Sequence, residues 1–164
     1  MQRHILILFL LLITAPFRAA DAEQITVRAG ADTLQTAIAG ASPGDVLILD
    51  AGRYEGPVIV DRALNIRGNG AATIDGMGHG TVVTISADDV TLNGLIVTRS
   101  GRDPTAIDSG IKIIKGVHRA LIDSNSLTEN LHGIDVHGAT GTTVRGNTIT
   151  GLQTARMNER GNGI

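Results

Sequence analysis

Imidazole, thioether and guanidinium groups are the chemically versatile side chains of this 164-residue chain, which contains no cysteine. Thiolate metal sites and cysteine nucleophiles are therefore excluded within it. Beyond the first twenty residues stand four histidines, His79, His118, His132 and His137. His132 and His137 flank one short apolar stretch, Gly133 to Val136, and Met157 offers a thioether, a soft ligand for cuprous copper; imidazole suits either copper state. A spacing of five puts the two histidines on opposite faces of a regular strand, so sharing an ion requires a turn to redirect one of them. His132, His137 and Met157 are the candidate metal-contacting group, with copper as the candidate ion.

A second kind of chemistry lies in two charged stretches, "TRSGRDPTAIDSG" and "TGLQTARMNERGNG". They hold Arg99, Arg102, Asp103, Asp108, Arg156, Glu159 and Arg160, a concentration that stands out where only 18% of residues are charged. Arginine beside carboxylate can form bidentate pairs that fix a loop, or can present a fork to a partner's carboxylate or phosphate. As a solvated loop the same pairs would contribute only about 0–1 kcal/mol each.

Hydrolytic and lyase motifs are fragmentary. Gly78-His79-Gly80 matches a short element of polygalacturonases, and Asp88-Asp89 resembles their paired acids, but the acids follow the histidine instead of preceding it. The companion Asn-Thr-Asp and Arg-Ile-Lys elements do not occur. Asp103-Pro104 is similar to the start of the Asp-Pro-His-Asp stretch of mannuronan epimerases, but Thr105-Ala106 follows. Tyr54 is the single aromatic residue after the N-terminal segment, which leaves almost nothing to stack on sugar rings.

These side chains must be held by repeating elements. Ile122-Asp123-Ser124-Asn125 and Val144-Arg145-Gly146-Asn147 repeat 22 residues apart, Ile66-Arg67-Gly68-Asn69 precedes them, and Leu92-Asn93-Gly94-Leu95 fills the intermediate copy. A second anchor runs through Gly80, Gly110, Gly133 and Gly163, at spacings of 30, 23 and 30. Short Val/Ile/Leu strands in period-2 alternation, broken by Gly, Asn and Asp turns, predict an all-β, right-handed, single-stranded parallel β-helix with one coil per repeat. Stacking places aliphatic residues in interior ladders, and Asn69, Asn125 and Asn147 are expected to stack at one corner, in the left-handed conformation that Asn tolerates. Asp32-Thr33 before Leu34, Ala37 and Ile38 reads as an N-cap and a short amphipathic helix, closed by Pro43-Gly44. This predicts a cap over about residues 32–45, with the strands starting at Val46. The extra residues of the longer coils fall in Thr98–Ser109 and Thr150–Asn162, two coils apart at one corner, where projecting loops often form a binding surface.

The N-terminus carries Arg3 and His4, an apolar run from Ile5 to Ile13, Pro16 and the small-residue site Ala20-Asp21-Ala22. This pattern predicts a secretory signal peptide over residues 1–22 and no membrane insertion after its removal, leaving 23–164 as one β-helix domain. The segment's net charge of +1 leaves −3 from the chain's −2, which gives no support to nucleic-acid binding.

With these residues assembled, the chain resembles the NosD family of periplasmic accessory proteins for nitrous oxide reductase maturation. The resemblance rests on "LQTAIAGASPGDVLILDAGRYEGPVIVDRALNIRGNG", shared widely by secreted β-helix proteins, and more specifically on "GRDPTAIDSGIKI", "NLHGIDVHGA" and "RMNERGNGI". It implies a non-enzymatic role beside ABC transporter subunits and a copper donor protein, delivering copper or sulfur species toward the copper–sulfide centre of the reductase. It also implies that Arg156, Asn158, Glu159, Arg160 and Asn162 form a partner-facing loop with Arg102, Asp103 and Asp108. The alternative is a secreted β-helix polysaccharide lyase, epimerase or hydrolase. Members of the family are longer, and Gly163-Ile164 stands where another coil should start, so an incomplete β-helix with an uncovered edge is expected.

Overall fold

The structure, a computed structural model, describes residues 22–153 and 161–164. Residues 1–21, within the segment expected to be a signal peptide, and residues 154–160, with Arg156, Met157, Asn158, Glu159 and Arg160, lie outside the described residues. A segment of alternating aliphatic and polar residues can bury one face only, and each coil here is too thin to bury it alone. The chain solves this by stacking. Its elements are β1 (Gln24–Val27), α1 (Thr33–Gly40), β2 (Val46–Leu49), β3 (Gly52–Glu55), β4 (Val58–Val60), β5 (Asn65–Asp75) and β6 (Val83–Ile85). They continue with β7 (Thr91–Thr98), β8 (Ser109–Ile113), β9 (Leu121–Asp123), β10 (Ser126–Thr128), β11 (His132–Val136), β12 (Thr143–Arg145) and β13 (Thr148–Thr150). All pairings are parallel, in a nine-stranded sheet that begins β1-β2-β5-β7 and a four-stranded sheet ordered β4-β6-β8-β11, making a solenoid of about six turns.

The interior is a set of ladders. Ile25, Leu47, Ile66, Leu92, Ile122 and Val144 lie in register along one face. Tyr54, Ile74, Val97, Leu127 and Ile149 follow the next, and Val58, Val83, Ile111 and Ile134 the third. Each fully buried aliphatic side chain contributes roughly 1.5–3 kcal/mol, so the ladders dominate the stability. Tyr54 is wholly buried, the single proton of its hydroxyl shared between the carbonyls of Val27 (2.7 Å) and Asp50 (3.0 Å).

Strand β1 precedes the helix and pairs with β2, so the sheet starts before the cap and not at Val46 as the pattern suggested. Asp45 explains how: its carboxylate accepts the amides of Glu23 (2.9 Å) and Ser42 (2.8 Å), fastening the β1 entry to the turn after the helix. The helix itself buries Leu34 and Ile38. Asp32 holds the expected N-cap position, its carbonyl accepting the Thr36 amide (2.9 Å), but the residue is left-handed at φ 57° and its side chain makes no capping hydrogen bond; Thr33 Oγ1 donates to Gly30 O at 3.0 Å. The helix also protects a sheet edge. Gln35 accepts the amide of Ile59 (2.8 Å) and donates to its carbonyl (3.3 Å), so one side chain stands in for a neighbouring strand along β4.

Asparagines hold two corners, in a different manner from the one expected. Asn125 Oδ1 accepts the Leu95 amide (2.9 Å) while its Nδ2 donates to Leu92 O (3.1 Å). Asn147 repeats this one coil on, accepting the Asn125 amide (2.9 Å) and donating to Ile122 O (2.8 Å). The left-handed residue is the one before: Gly94, Ser124 and Gly146. Asn69 is not in the ladder. Between Arg67 and Ala72 the register shifts, Ala72 pairs with Leu95, and Asn69 sits exposed at φ 50° in the resulting bulge.

The glycine anchor is also offset in its first copy. Val83 pairs with Ile111, 28 residues on, so Val82 and not Gly80 stacks beneath Gly110. Gly110, Gly133 and Gly163 do align. A Cβ on Gly133 would stand 2.4 Å from Gly163 O and 2.6 Å from Ile149 Cγ2, which accounts for glycine there.

If Asn125 satisfies buried backbone groups as described, Asn125→Ala should destabilise the fold by about 2–4 kcal/mol, whereas Asn69→Gly should cost under about 0.5 kcal/mol. Urea denaturation of the two variants checks this, and equal midpoints would remove the asparagine ladder from the account.

Candidate functional site

The first long corner is built on a carboxylate. Asp75 ends β5, and stacking brings Arg53 from the coil before and Arg99 from the coil after to the same side chain. Arg99 donates Nε to Oδ1 (2.8 Å) and Nη2 to Oδ2 (2.7 Å), Arg53 Nε lies 2.9 Å from Oδ2, and the Met77 amide adds a fourth bond at 2.9 Å. Both guanidinium groups also touch the Met77 sulfur. Burial alone would raise the Asp75 carboxyl; the Arg99 and Met77 hydrogen bonds and the charge of Arg53 outweigh it and hold the group below the usual carboxylate range. Arg99 is thus a fastener of the corner first and a surface group second.

Beyond Arg99 the loop folds on Asp108. This aspartate is buried, its Oδ2 accepts the Asp103 amide (2.9 Å), and its own amide donates to Asp103 O (3.2 Å). Asp103 Oδ1 accepts the amides of Thr105 (2.8 Å) and Ala106 (3.3 Å), so it shapes the exposed tip, and Lys112 Nζ donates to Ala106 O at 2.7 Å. Of the four residues singled out here, Arg102 and Asp103 face solvent, Arg99 is partly exposed but engaged with Asp75, and Asp108 points inward. Met77, Arg99, Arg102 and Glu129 line a small polar cavity of about 140 Å³ at the base of the loop.

The second long corner starts at the stacked equivalent of the first. Thr98, Thr128 and Thr150 are in register, and Ser109, His132 and Asn162 are in register where the chain returns. Asn162 donates its amide to Leu131 O (3.0 Å) and accepts the Gly133 amide (2.8 Å). The two insertions therefore occupy one corner, two coils apart, as their spacing indicated. Between them runs a short corner held by Asn130, whose Oδ1 accepts the Ser100 amide (3.0 Å) and whose Nδ2 donates to Val97 O (2.9 Å). Asn130 carries no repeat signal, because its stacked neighbours are Ser100 and Leu152.

His132 sits half-buried at the start of β11. Its Nδ1 is 3.1 Å from Asp108 O, which can only accept, so the contact is a hydrogen bond in the tautomer protonated at Nδ1, and Nε2 has no partner among the described residues. His137 is exposed beyond the other end of the same strand, about 16 Å away at a strand's rise per residue. The structure does not bring the two histidines together, Met157 lies outside the described residues, and among the described residues no group of three His, Asp or Glu could hold a metal.

The paired acids lie at another corner and are already occupied. Asp89 takes the guanidinium of Arg119 on both oxygens at 2.7 Å, and Asp88 accepts the His118 amide (2.8 Å) with His118 Nδ1 at 3.2 Å. The Arg119 hydrogen bonds hold Asp89, and the His118 amide holds Asp88, below the ordinary carboxylate range. Neither is placed to serve as a proton-donating acid near neutrality. His79 lies exposed in a separate turn after β5.

No family model matches the chain. A curated protein of Pseudomonas aeruginosa described as "Probable ABC transporter binding protein NosD" is 35% identical over 116 residues, 71% of this chain and 27% of its own length. A protein of the same description from Stutzerimonas stutzeri matches with the same identity and coverage. The chain is a partial match to NosD and spans about a quarter (27%) of the length of these curated relatives. Among solved structures, the PL6-family alginate lyase AlyGC superposes at a TM-score of 0.58 with 26% identity, over 76% of this chain and 19% of the enzyme. A mutant form of that lyase superposes at 0.55 with 22% identity, over 87% and 23%, and shows the shared fold.

Asp75 gives a pH signature. Its folded-state pKa is depressed, so the stability it adds is present above the unfolded carboxyl value of about 3.9 and is lost as pH falls through the lower folded value. Asp75→Asn should therefore cost about 1–3 kcal/mol at neutral pH, and its deficit against the parent should shrink below about pH 4. Denaturant midpoints across that range test it; a deficit independent of pH would mean that the charge is not what holds the corner.

Proposed function

We propose that the chain is part of a periplasmic, non-enzymatic accessory protein that works with an ABC transporter in assembling the copper–sulfide centre of nitrous oxide reductase. The observation that carries this reading is the 35% identity to NosD proteins over 71% of the chain. Two features of the site support it. The carboxylates that resemble polysaccharide-cleaving acids are committed to ion pairs, and the lone aromatic residue past the N-terminal segment is buried in the core.

On this reading the exposed Arg102 and Asp103, with Arg99 behind them, present the first long corner to a partner, and Arg156, Asn158, Glu159, Arg160 and Asn162 present the second. Asp108 contributes by shaping the loop. Copper is cargo, with His132 Nε2 as the first contact and His137 and Met157 as further candidates. Residues 1–22 act as the export signal, and among the described residues no helix is long and apolar enough to cross a membrane.

Charge reversal at Arg156 and Arg160 together should reduce capture of the transporter subunits by the immobilised protein about tenfold while leaving its thermal midpoint unchanged. Undiminished capture would sink the assignment. A second reading, a polysaccharide lyase, epimerase or hydrolase, is favoured by the 26% identity and 0.58 TM-score to the alginate lyase. Alginate and pectate should remain intact on incubation with the purified chain; depolymerisation or epimerisation by a preparation that loses it on denaturation would favour the enzyme.

A further inference from the structure

We propose that the outer face of β5, β7 and β9 is a binding groove for a uronic-acid oligosaccharide. This site is separate from both long corners, and it does not depend on the accessory role. The groove encloses about 390 Å³. Its floor is two rows in register, Asn65 on Thr91 and Leu121, and Arg67 on Asn93 and Asp123, polar except for Leu121. One end is walled by the bulge after Arg67, where Asn69 stands at φ 50° above Gly94.

The balance of used and unused groups selects the ligand. Arg67 is exposed and gives only Nε to the protein, to Asn65 Oδ1 at 3.2 Å; among the described residues its two terminal nitrogens have no partner. Its neighbours in register are Ile48 and Asn93, so the stacking that supplies carboxylates to Arg53, Arg99 and Arg119 supplies none here. Asn93 Nδ2 donates to Asp123 O (3.2 Å), leaving its Oδ1 as an acceptor. The Asp123 carboxylate is already taken by Arg145 (3.0 Å) and Ser124 Oγ (2.9 Å), so it does not oppose an incoming anion.

The face thus offers a guanidinium fork, which matches a carboxylate bidentately, beside amides and a hydroxyl that match sugar hydroxyl groups. The rows repeat every 4.7–4.9 Å or so along the axis, a step close to one pyranose unit. A neutral glycan would need the aromatic platforms that the surface lacks, whereas a uronate brings its own charge. Elimination would further require both a base for the proton beside the carboxylate and a cation for the charge that develops; Arg67 is the single cation lining the groove, and Asp123, its one carboxylate, is engaged by Arg145 and Ser124. Binding without turnover is the expected behaviour.

Isothermal titration of the full chain with tetramannuronate or tetragalacturonate should show saturable binding that weakens with salt, while cellotetraose binds at least about tenfold more weakly. Arg67→Ala should lower uronate affinity about tenfold and Arg67→Lys by less. Arg119→Ala, on a different corner, should leave it unchanged. The proposal is overturned if neither uronate binds at millimolar concentration, if cellotetraose binds as tightly, or if Arg67→Ala binds like the parent with an unaltered thermal midpoint.

Discussion

Parallel stacking with every side chain in register is the constraint on which this protein rests. A coil encloses only a thin layer, so Ile66 has no complete environment until Leu47 lies on one side of it and Leu92 on the other. Each ladder position must therefore be aliphatic or small, and the core has almost no use for aromatic rings. Tyr54 is the exception, and it is admitted because two carbonyls meet its hydroxyl. The helix and Gln35 close one end of this arrangement by supplying apolar cover and a substitute for strand hydrogen bonds.

Stacking also sets a problem at each corner, where backbone amides turn inward with no strand opposite them. Asparagine solves it because a single side chain is acceptor and donor at once, and the distance between its two ends matches the step from an amide in one coil to a carbonyl three residues earlier in the chain. Asn125 and Asn147 do this on one corner and Asn130 on another. The turn itself is made by the preceding residue, left-handed Ser124 or glycine. Removing the amide would leave an unpaired buried group, which costs more than the net gain from forming the bond.

The same coil-to-coil step governs the surface charges. Asp75 meets Arg53 and Arg99, Asp88 and Asp89 meet His118 and Arg119, and Asp123 meets Arg145, each pair one coil apart. Such pairs engage both acids that resemble catalytic carboxylates, Asp88 and Asp89, and one of the candidate docking arginines, Arg99. Among the described residues, Arg102 and Asp103 at the tip of the first long corner and the terminal nitrogens of Arg67 stay open. The β-helix is shared with an alginate lyase, but the fold supplies only a scaffold, and the outward residues decide its chemistry.

By itself the sequence determined the solenoid, because period-2 aliphatic strands at intervals of 22 to 30 residues leave no other way to bury them. It also determined that the two insertions share a corner, since the extra residues fall in both cases between the Asn-type corner and the glycine, Gly110 or Gly163, that opens the return strand. Only the tertiary structure decided the register where coil lengths change. Extra residues can be absorbed at any turn, so Asn69 looked like a ladder asparagine and Gly80 like an anchor, whereas the bulge after Arg67 and the 28-residue step from Val83 to Ile111 displaced both. The roles of Arg99 and Asp108 were likewise beyond the sequence. Whether a charged loop residue faces a partner or its own chain depends on what lies one coil away, and Asp75, 24 residues before Arg99, becomes its neighbour only when the coils stack.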